Sequence, residues 1–98
     1  MNREIKKSMK EVRSEIDQID KELVSLLAKR QKYVENAALI KKDRNLIIDE
    51  PRIEEVISNI KKFSSSSGLS DAISEPLWRK LIELSIEHEF EEFERKKN

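Results

Sequence analysis

The feature that most constrains this chain is a long apolar stripe near its N-terminal end. Apolar residues recur at alternating steps of four and three positions between Ile5 and Ile40. The spacing predicts one helix over about residues 4–42, roughly 55 Å long. A chain of 98 residues forms a globule with a radius of gyration of only about 13 Å. One copy therefore cannot bury this helix, and an extended coiled coil or an intertwined helical oligomer is expected.

The rest of the chain also favours helices, because it contains little glycine and proline and no long alternation of apolar and polar residues. The segment 49–51 (DEP) has the form of a helix start, with an acidic cap before a proline in the first turn. A second helix is predicted over about residues 50–63. The serines of 64–67 and Gly68 then form a connector, with Gly68 as a C-terminal cap.

A third helix is predicted to begin at Ser70 or Ser74 and to run to about residue 95. Pro76 favours Ser74 as the cap, because proline is tolerated only in a first turn, or else it implies a kink. The charged tail 91–98 is expected to fray. The sequence thus predicts a single all-α domain over residues 1–98, with one long and two shorter helices.

Composition excludes several classes of function. The chain has 20 basic and 20 acidic residues, so no overall field attracts it to nucleic acid or membrane. It has no cysteine, and its single histidine, His88, is interpreted as structural or surface, so no metal or cofactor is expected. The N-terminal segment lacks the apolar core of a signal peptide, which favours a cytoplasmic protein.

Cationic residues stand where apolar ones are expected on the first helix. Arg30 lies on the stripe, and arginine is rarely buried without a partner, so an interhelical salt bridge is the plain interpretation. Lys41 follows eleven positions later on nearly the same face, about 16 Å further along. The two side chains could close on a small dianion, and Arg52 could approach from the start of the second helix. Arg13 is about 42 Å from Lys41 along the helix, so only a partner copy could bring it to such a site.

The third helix carries a polar pair in an apolar setting. Ser85 and Glu89 are one turn apart, on the stripe that also holds Trp78 and Ile82, beside a leucine stripe. A carboxyl group among apolar residues tends to stay protonated unless a cation holds it. The alternative is a solvated or salt-bridged glutamate in a highly charged chain.

Three motifs, in this order and spacing, resemble the all-helical (AroQ-type) chorismate mutase family, which includes isochorismate pyruvate lyase-like members. The resemblance covers nearly the whole chain. The segment 13–20 (RSEIDQID) is similar to the family's R-x-x-I-D-x-(I/L)-D start, and 26–30 (LLAKR) to its L-L-x-x-R segment. The segment 49–52 (DEPR) is similar to the family's D-x-x-R or A-P-x-R block.

The resemblance implies an intertwined homodimer of three-helix chains with two equivalent sites. Arg13 from one chain would join residues of the other, and Arg13 and Arg30 would grip the carboxylates of a chorismate-like substrate. Lys41 and Glu89 would donate hydrogen bonds to the enol-ether oxygen. The implied substrate-binding set is Arg13, Arg30, Lys41, Asp49, Arg52, Ile53, Ser85 and Glu89, with Arg30, Lys41 and Glu89 as its catalytic members. No cofactor is implied.

Two positions depart from the common bacterial pattern. Ile53 stands where many mutases have a glutamate for the ring hydroxyl, and isochorismate pyruvate lyases have an aliphatic residue there. Glu89 stands where bacterial members usually have glutamine. A mutase is favoured, with a lyase that forms salicylate and pyruvate as the alternative. A 4-amino-4-deoxychorismate mutase, with Asp49 facing the ammonium group, also stays open, as does a helical binding or regulatory module without chemistry.

Overall fold

The computed structural model describes residues 8–96, and this part of the chain is helical without strands. Helix α1 spans Met9–Ile40, a 3₁₀ turn spans Arg44–Leu46, α2 spans Glu50–Ser67 and α3 spans Asp71–Arg95. The prediction of one long and two shorter helices is confirmed. Residues 4–7, where the first helix was expected to begin, and Ile5 of the stripe lie outside the described residues.

The chain divides into two compact units between Lys32 and Tyr33, and α1 contributes to both. In the first unit α1 keeps its apolar stripe exposed: Ile16 and Leu23 are 50 % exposed, and Leu26 is 58 % exposed. Apolar side chains that remain half exposed at regular helical spacing form a surface suited to a further helix.

The second unit is built from the last turns of α1, the 3₁₀ turn, and the packed pair α2 and α3. Its core is a cluster of Ala38, Ile47 and Phe93, with Ile86 and Phe90 packed against it. The end of α1, the loop after it and the end of α3 therefore share one small core, which fixes the surroundings of Lys41.

Helix α2 begins as the sequence predicts, because the Asp49 side chain accepts a hydrogen bond from the backbone N–H of Arg52. The predicted connector at 64–67 is wrong, since α2 continues through Ser67. The hydroxyl groups of Ser64 and Ser66 donate to the carbonyl oxygens of Ile60 and Phe63, so these serines bond within the helix that they were expected to end.

Helix α3 begins at the earlier of its two candidate caps. Ser70 is the N-cap and accepts from the N–H of Ala72, whereas Ser74 lies within the helix and is fully buried. The preference for Ser74 is therefore wrong. Pro76 is the sixth residue of α3, and its missing N–H removes only the bond to the carbonyl of Ala72, near the helix start.

The expectation that the tail 91–98 frays is wrong for its described part. Helix α3 continues to Arg95, and Phe93 is 3 % exposed in the core of the second unit. The stripe of Ile82 and Glu89 is the buried one, whereas Leu77 and Leu84 of the neighbouring stripe are about half exposed. Burying one aromatic ring of this size contributes about 2 kcal/mol, which is enough to order a last helical turn.

Candidate active site

A part-buried ion pair joins the end of α1 to α3 in the second unit. The Lys41 Nζ donates to Oε2 of Glu89 at 2.7 Å, across 48 positions of sequence. The side chain of Glu89 is 9 % exposed and that of Lys41 is 26 % exposed. The structure thus brings together the two residues that the resemblance assigns to the ether oxygen.

The local sequence explains how the two groups meet. Lys41 is the first residue after α1, and its backbone N–H still donates to the carbonyl of Ala37. Glu89 faces inward because it lies seven residues after Ile82, which puts both on the buried side of α3. Ser85, half-buried, lies on this side one turn before Glu89.

The pair has the chemistry of a charge-stabilising site. Removing two opposite charges from water costs several kcal/mol for each ion, which their attraction offsets only when the geometry is good. Lys41 has three donors, of which the contact with Glu89 uses one. A ligand with an acceptor oxygen can therefore take hydrogen bonds from Lys41, and also from Glu89 when its carboxyl group is protonated.

The start of α2 places two more predicted site residues at the surface. The guanidinium of Arg52 bonds to Oε1 of Glu55 at 2.6 Å, and its side chain is 61 % exposed. Asp49 uses Oδ1 as the helix cap. The structure therefore gives both side chains a partner within α2.

Ile53 is half-buried and lines a cavity of about 370 Å³ together with Ile48, Ile82, Ile86 and Phe90. The remaining lining residues are charged: Glu50, Arg79, Glu83 and Glu87. Three carboxylates against one arginine make this cavity unsuited to a dianion. Neither Lys41 nor Glu89 lines it, so it is distinct from the pair.

The other two arginines of the predicted substrate-binding set lie on α1 in the first unit. Arg13 is exposed and Arg30 is half-buried. Within the second unit, then, the structure joins Lys41 with Glu89 and places Ser85 beside them. The assembly of the whole predicted set stays a prediction.

A second polar cluster, which the sequence interpretation missed, contains the only histidine. His88 Nε2 lies 2.6 Å from Glu35 Oε2 and 4.0 Å from a carboxylate oxygen of Glu92. The three residues are half-buried, and their ligand atoms all lie within 4.8 Å of one another, so they are a group that could hold a metal ion. The short contact between His88 and Glu35 is that of a hydrogen bond, which already links the end of α1 to α3.

A missed residue also caps α1. The Lys96 ammonium bonds to carbonyl oxygens of Ala38, Leu39 and Lys41. Little in the sequence points to this contact, because Lys96 lies in a charged tail. The one available signal is that the last turn of α1 has no basic residue of its own.

The fold and the pair together define a class: small all-helical proteins with a part-buried lysine–glutamate pair between the end of the first helix and the last helix. Among residues 8–96 no helix combines the length and the apolar character that a membrane crossing requires. None of the curated proteins compared with this chain matches it.

The family profile "Chorismate mutase type II" matches residues 12–90, which is most of the chain. The chain therefore belongs to the chorismate mutase type II family. The match includes α2 entire and α1 and α3 except for their outermost turns, so Arg13, Lys41, Arg52 and Glu89 all lie within it. The family implies chorismate as the substrate class.

Proposed function

We propose that this chain is a chorismate mutase that converts chorismate to prephenate as a homodimer. The observation that carries the proposal is the Lys41–Glu89 pair, in which an ammonium and a carboxyl group are held 2.7 Å apart inside a fold of this family. No side chain has to act as a nucleophile. The rearrangement needs groups that position the substrate and stabilise charge, and Lys41 and Glu89 are groups of that kind.

The reaction is pericyclic, so catalysis consists of positioning and charge stabilisation. The enolpyruvyl arm must be held over the ring, which restricted geometry supplies. As the C–O bond breaks, negative charge builds on the ether oxygen, and donors aimed at that atom stabilise the transition state. In the proposal Lys41 is one such donor and protonated Glu89 is the other, with the pair opening to admit the oxygen.

The substrate's carboxylates are assigned to Arg13 and Arg30. Arginine presents paired N–H donors that match a carboxylate. Because Arg13 precedes Lys41 by about 42 Å of helix, it serves a site built by the partner copy. The half-exposed apolar stripe of α1 supports this arrangement, since a second copy would bury it. Arg52, held by Glu55 in the free protein, turns to the bound anion.

Isochorismate pyruvate lyase is the second candidate, and Ile53 is the observation that favours it. Isochorismate pyruvate lyases have an aliphatic residue at this position, and isoleucine offers no carboxylate for a ring hydroxyl. The amino analogue, 4-amino-4-deoxychorismate, needs an anion at its ammonium group. Asp49 retains one carboxylate oxygen besides the one that caps α2 for that contact.

Purified protein offered chorismate and isochorismate in separate reactions tests these alternatives. We expect prephenate from chorismate, followed by loss of chorismate absorbance and identified by chromatography. Salicylate and pyruvate from isochorismate, without prephenate from chorismate, would assign the lyase. Turnover of the amino analogue alone would assign the third activity. A folded protein that turns over none of the three would contradict the proposal. A cytoplasmic location stays a prediction of the sequence.

A further inference from the structure

The C-terminal end of α1 lacks the usual local caps. A helix leaves its last four carbonyl groups without intrahelical partners, and glycine or a basic residue in the last turn commonly compensates. Helix α1 has no basic residue in its last turn, and it ends at Ile40 with Lys41 following directly. These carbonyl groups therefore need donors from elsewhere in the chain.

Lys96 supplies those donors. Its Nζ lies 2.6 Å from the carbonyl oxygen of Ala38, 2.6 Å from that of Lys41 and 3.4 Å from that of Leu39. An ammonium group has three N–H donors, so the three carbonyls match its capacity. The cation also lies 4.3 Å from the ring centre of Phe93, which is buried. A positive charge at a helix C-terminus is further stabilised by the helix dipole.

Both ends of Lys41 are consequently held by α3 and its C-cap residue, Lys96. Its carbonyl oxygen accepts from Lys96 and its ammonium donates to Glu89. Glu89 and Lys96 are seven residues apart, which is about two helical turns and places them on one side of α3. The group that caps the Lys41 backbone and the group that orients its side chain thus come from α3 and its C-cap residue.

We propose that Lys96 is a positioning residue for the reaction: by capping the carbonyl groups at the end of α1 it fixes the backbone of Lys41, and so aims the Lys41 ammonium at the substrate's ether oxygen. This inference rests on the proposed function. Lys96 itself touches no substrate. Its effect reaches the reaction through Lys41, and misplacement of such a donor by about 1 Å can cost up to 100-fold in rate.

The test compares Lys96→Met, which keeps a stem over Phe93 but has no donor, with Lys96→Arg, which keeps the charge. Lys80→Met is the control, because Lys80 pairs with Glu83 on an exposed face of the same helix. For Lys96→Met we expect kcat to fall roughly 10-fold while KM stays within about 2-fold, since the lost aim matters in the transition state. Lys96→Arg restores most of the rate, and Lys80→Met behaves as wild type.

Amide hydrogen exchange at residues 39–42 is measured on the same proteins, well below their melting temperatures. Faster exchange at these residues in Lys96→Met shows that the loss of kcat follows the loss of the cap, provided that the same fraction of the protein is active as in the wild type. An unchanged kcat in Lys96→Met would overturn the role of Lys96 and leave the proposed function intact. A wild type that turns over no chorismate-like substrate would instead overturn the proposed function, and the positioning role with it.

Discussion

The Glu89 carboxyl group accepts hydrogen bonds when it is ionised and can donate one when it is protonated. Ionised, it accepts the hydrogen bond from Lys41 that the structure shows. Protonated, it can donate to an ether oxygen, which an ionised carboxylate cannot do. We therefore expect a side chain that donates from this position at every pH to support at least as much mutase activity as Glu89 does.

Glu89→Gln tests this expectation, because the amide donates at every pH. At pH 7 its kcat, followed by loss of chorismate absorbance, should equal or exceed that of the wild type. Glu91→Gln, at an exposed position of the same helix, is the control and should behave as wild type. A Glu89→Gln rate well below that of the wild type would contradict the role of this position as a donor.

Ser74 has a buried hydroxyl group with no hydrogen-bond partner among the described residues. An unsatisfied buried polar group costs free energy, and alanine removes the group without loss of a contact. Ser74→Ala is expected to raise the free energy of unfolding by about 1 kcal/mol, measured by denaturant titration. Ser64→Ala is the matched control and should lower stability, because its buried hydroxyl does donate to the carbonyl of Ile60.

At the scale of elements, the α2–α3 connection depends on one glycine. Gly68 ends α2 with φ of 79°, in the left-handed region, and its N–H donates to the carbonyl of Ser64. A Cβ added there would meet no atom within 4 Å, so a side chain would be costly only because it is strained in this backbone conformation. Gly68→Ala should lower the free energy of unfolding by about 1–2 kcal/mol. Gly68→Asn should lose less, since asparagine tolerates this conformation, and equal losses would contradict the argument.

Cross-helix ion pairs also join α2 to α3. Glu75 lies 3.2 Å from Lys61 of α2, and hydrogen bonds from Lys61 and then Arg79 hold the pKa of the Glu75 carboxyl below its usual value of 4.5. The pKa of Arg79 is raised, chiefly by its bond to Glu54. A carboxyl group with a lowered folded pKa stabilises the fold above its unfolded pKa and ceases to do so as the pH falls through the folded value.

Glu75→Gln should therefore lower the melting temperature slightly at pH 7, and the difference from wild type should vanish well below pH 4.5. Glu83→Gln is the control, because Glu83 pairs only with Lys80 of its own helix among the ion pairs described here. A Glu75→Gln difference that persists or grows in acid would show that the ion pairs are not its cause.

The sequence predicts the presence of each helix better than the residues at which it begins and ends. A helix end can be predicted where neighbouring residues alone determine it. Asp49 and Pro51 mark the start of α2 by chemistry that acts within four residues, and the structure agrees. The serines of 64–67 look like a connector, yet their hydroxyls bond to carbonyls of the same helix. Ser70, and not Ser74, is the N-cap of α3. Ser74 is buried by the tertiary fold, and this burial outweighs the preference for placing Pro76 in a first turn.

The candidate site shows the same division. Helical spacing put Ser85 and Glu89 on one face, and family resemblance paired Glu89 with Lys41, as the structure shows. The contacts of Lys96 with Lys41 and of His88 with Glu35 span more than fifty positions. No local pattern encodes contacts of that range, so they emerge only when α3 packs against the end of α1.

At the scale of the whole molecule, the proposed site combines Arg13 of one chain with Arg30 and Lys41 of the other. Two inactive variants, Arg13→Ala and Arg30→Ala, should then restore each other. In a mixed dimer one site carries both substitutions and the other carries neither. A purified mixed dimer therefore keeps one intact site of its two, so we expect about half of wild-type activity.

Co-expression of the two variants with different tags, followed by activity assay of the tandem-purified mixed dimer, measures this. Arg30→Ala with Lys41→Ala is the control pair and should restore nothing, because each site takes both residues from one chain. Restored activity in the control pair, or none in the test pair, would contradict the shared site.

The cap that Lys96 places on α1 has a consequence for synthesis of the chain. The ribosome completes α1 more than fifty residues before it reaches the lysine that satisfies the carbonyls at its end. Until then the carbonyl groups at the end of the nascent helix have no ammonium group from which to accept, and an incompletely packed chain of this kind is exposed to aggregation and to chaperones. We expect the second unit to close, and copies to pair, only after translation has passed Lys96.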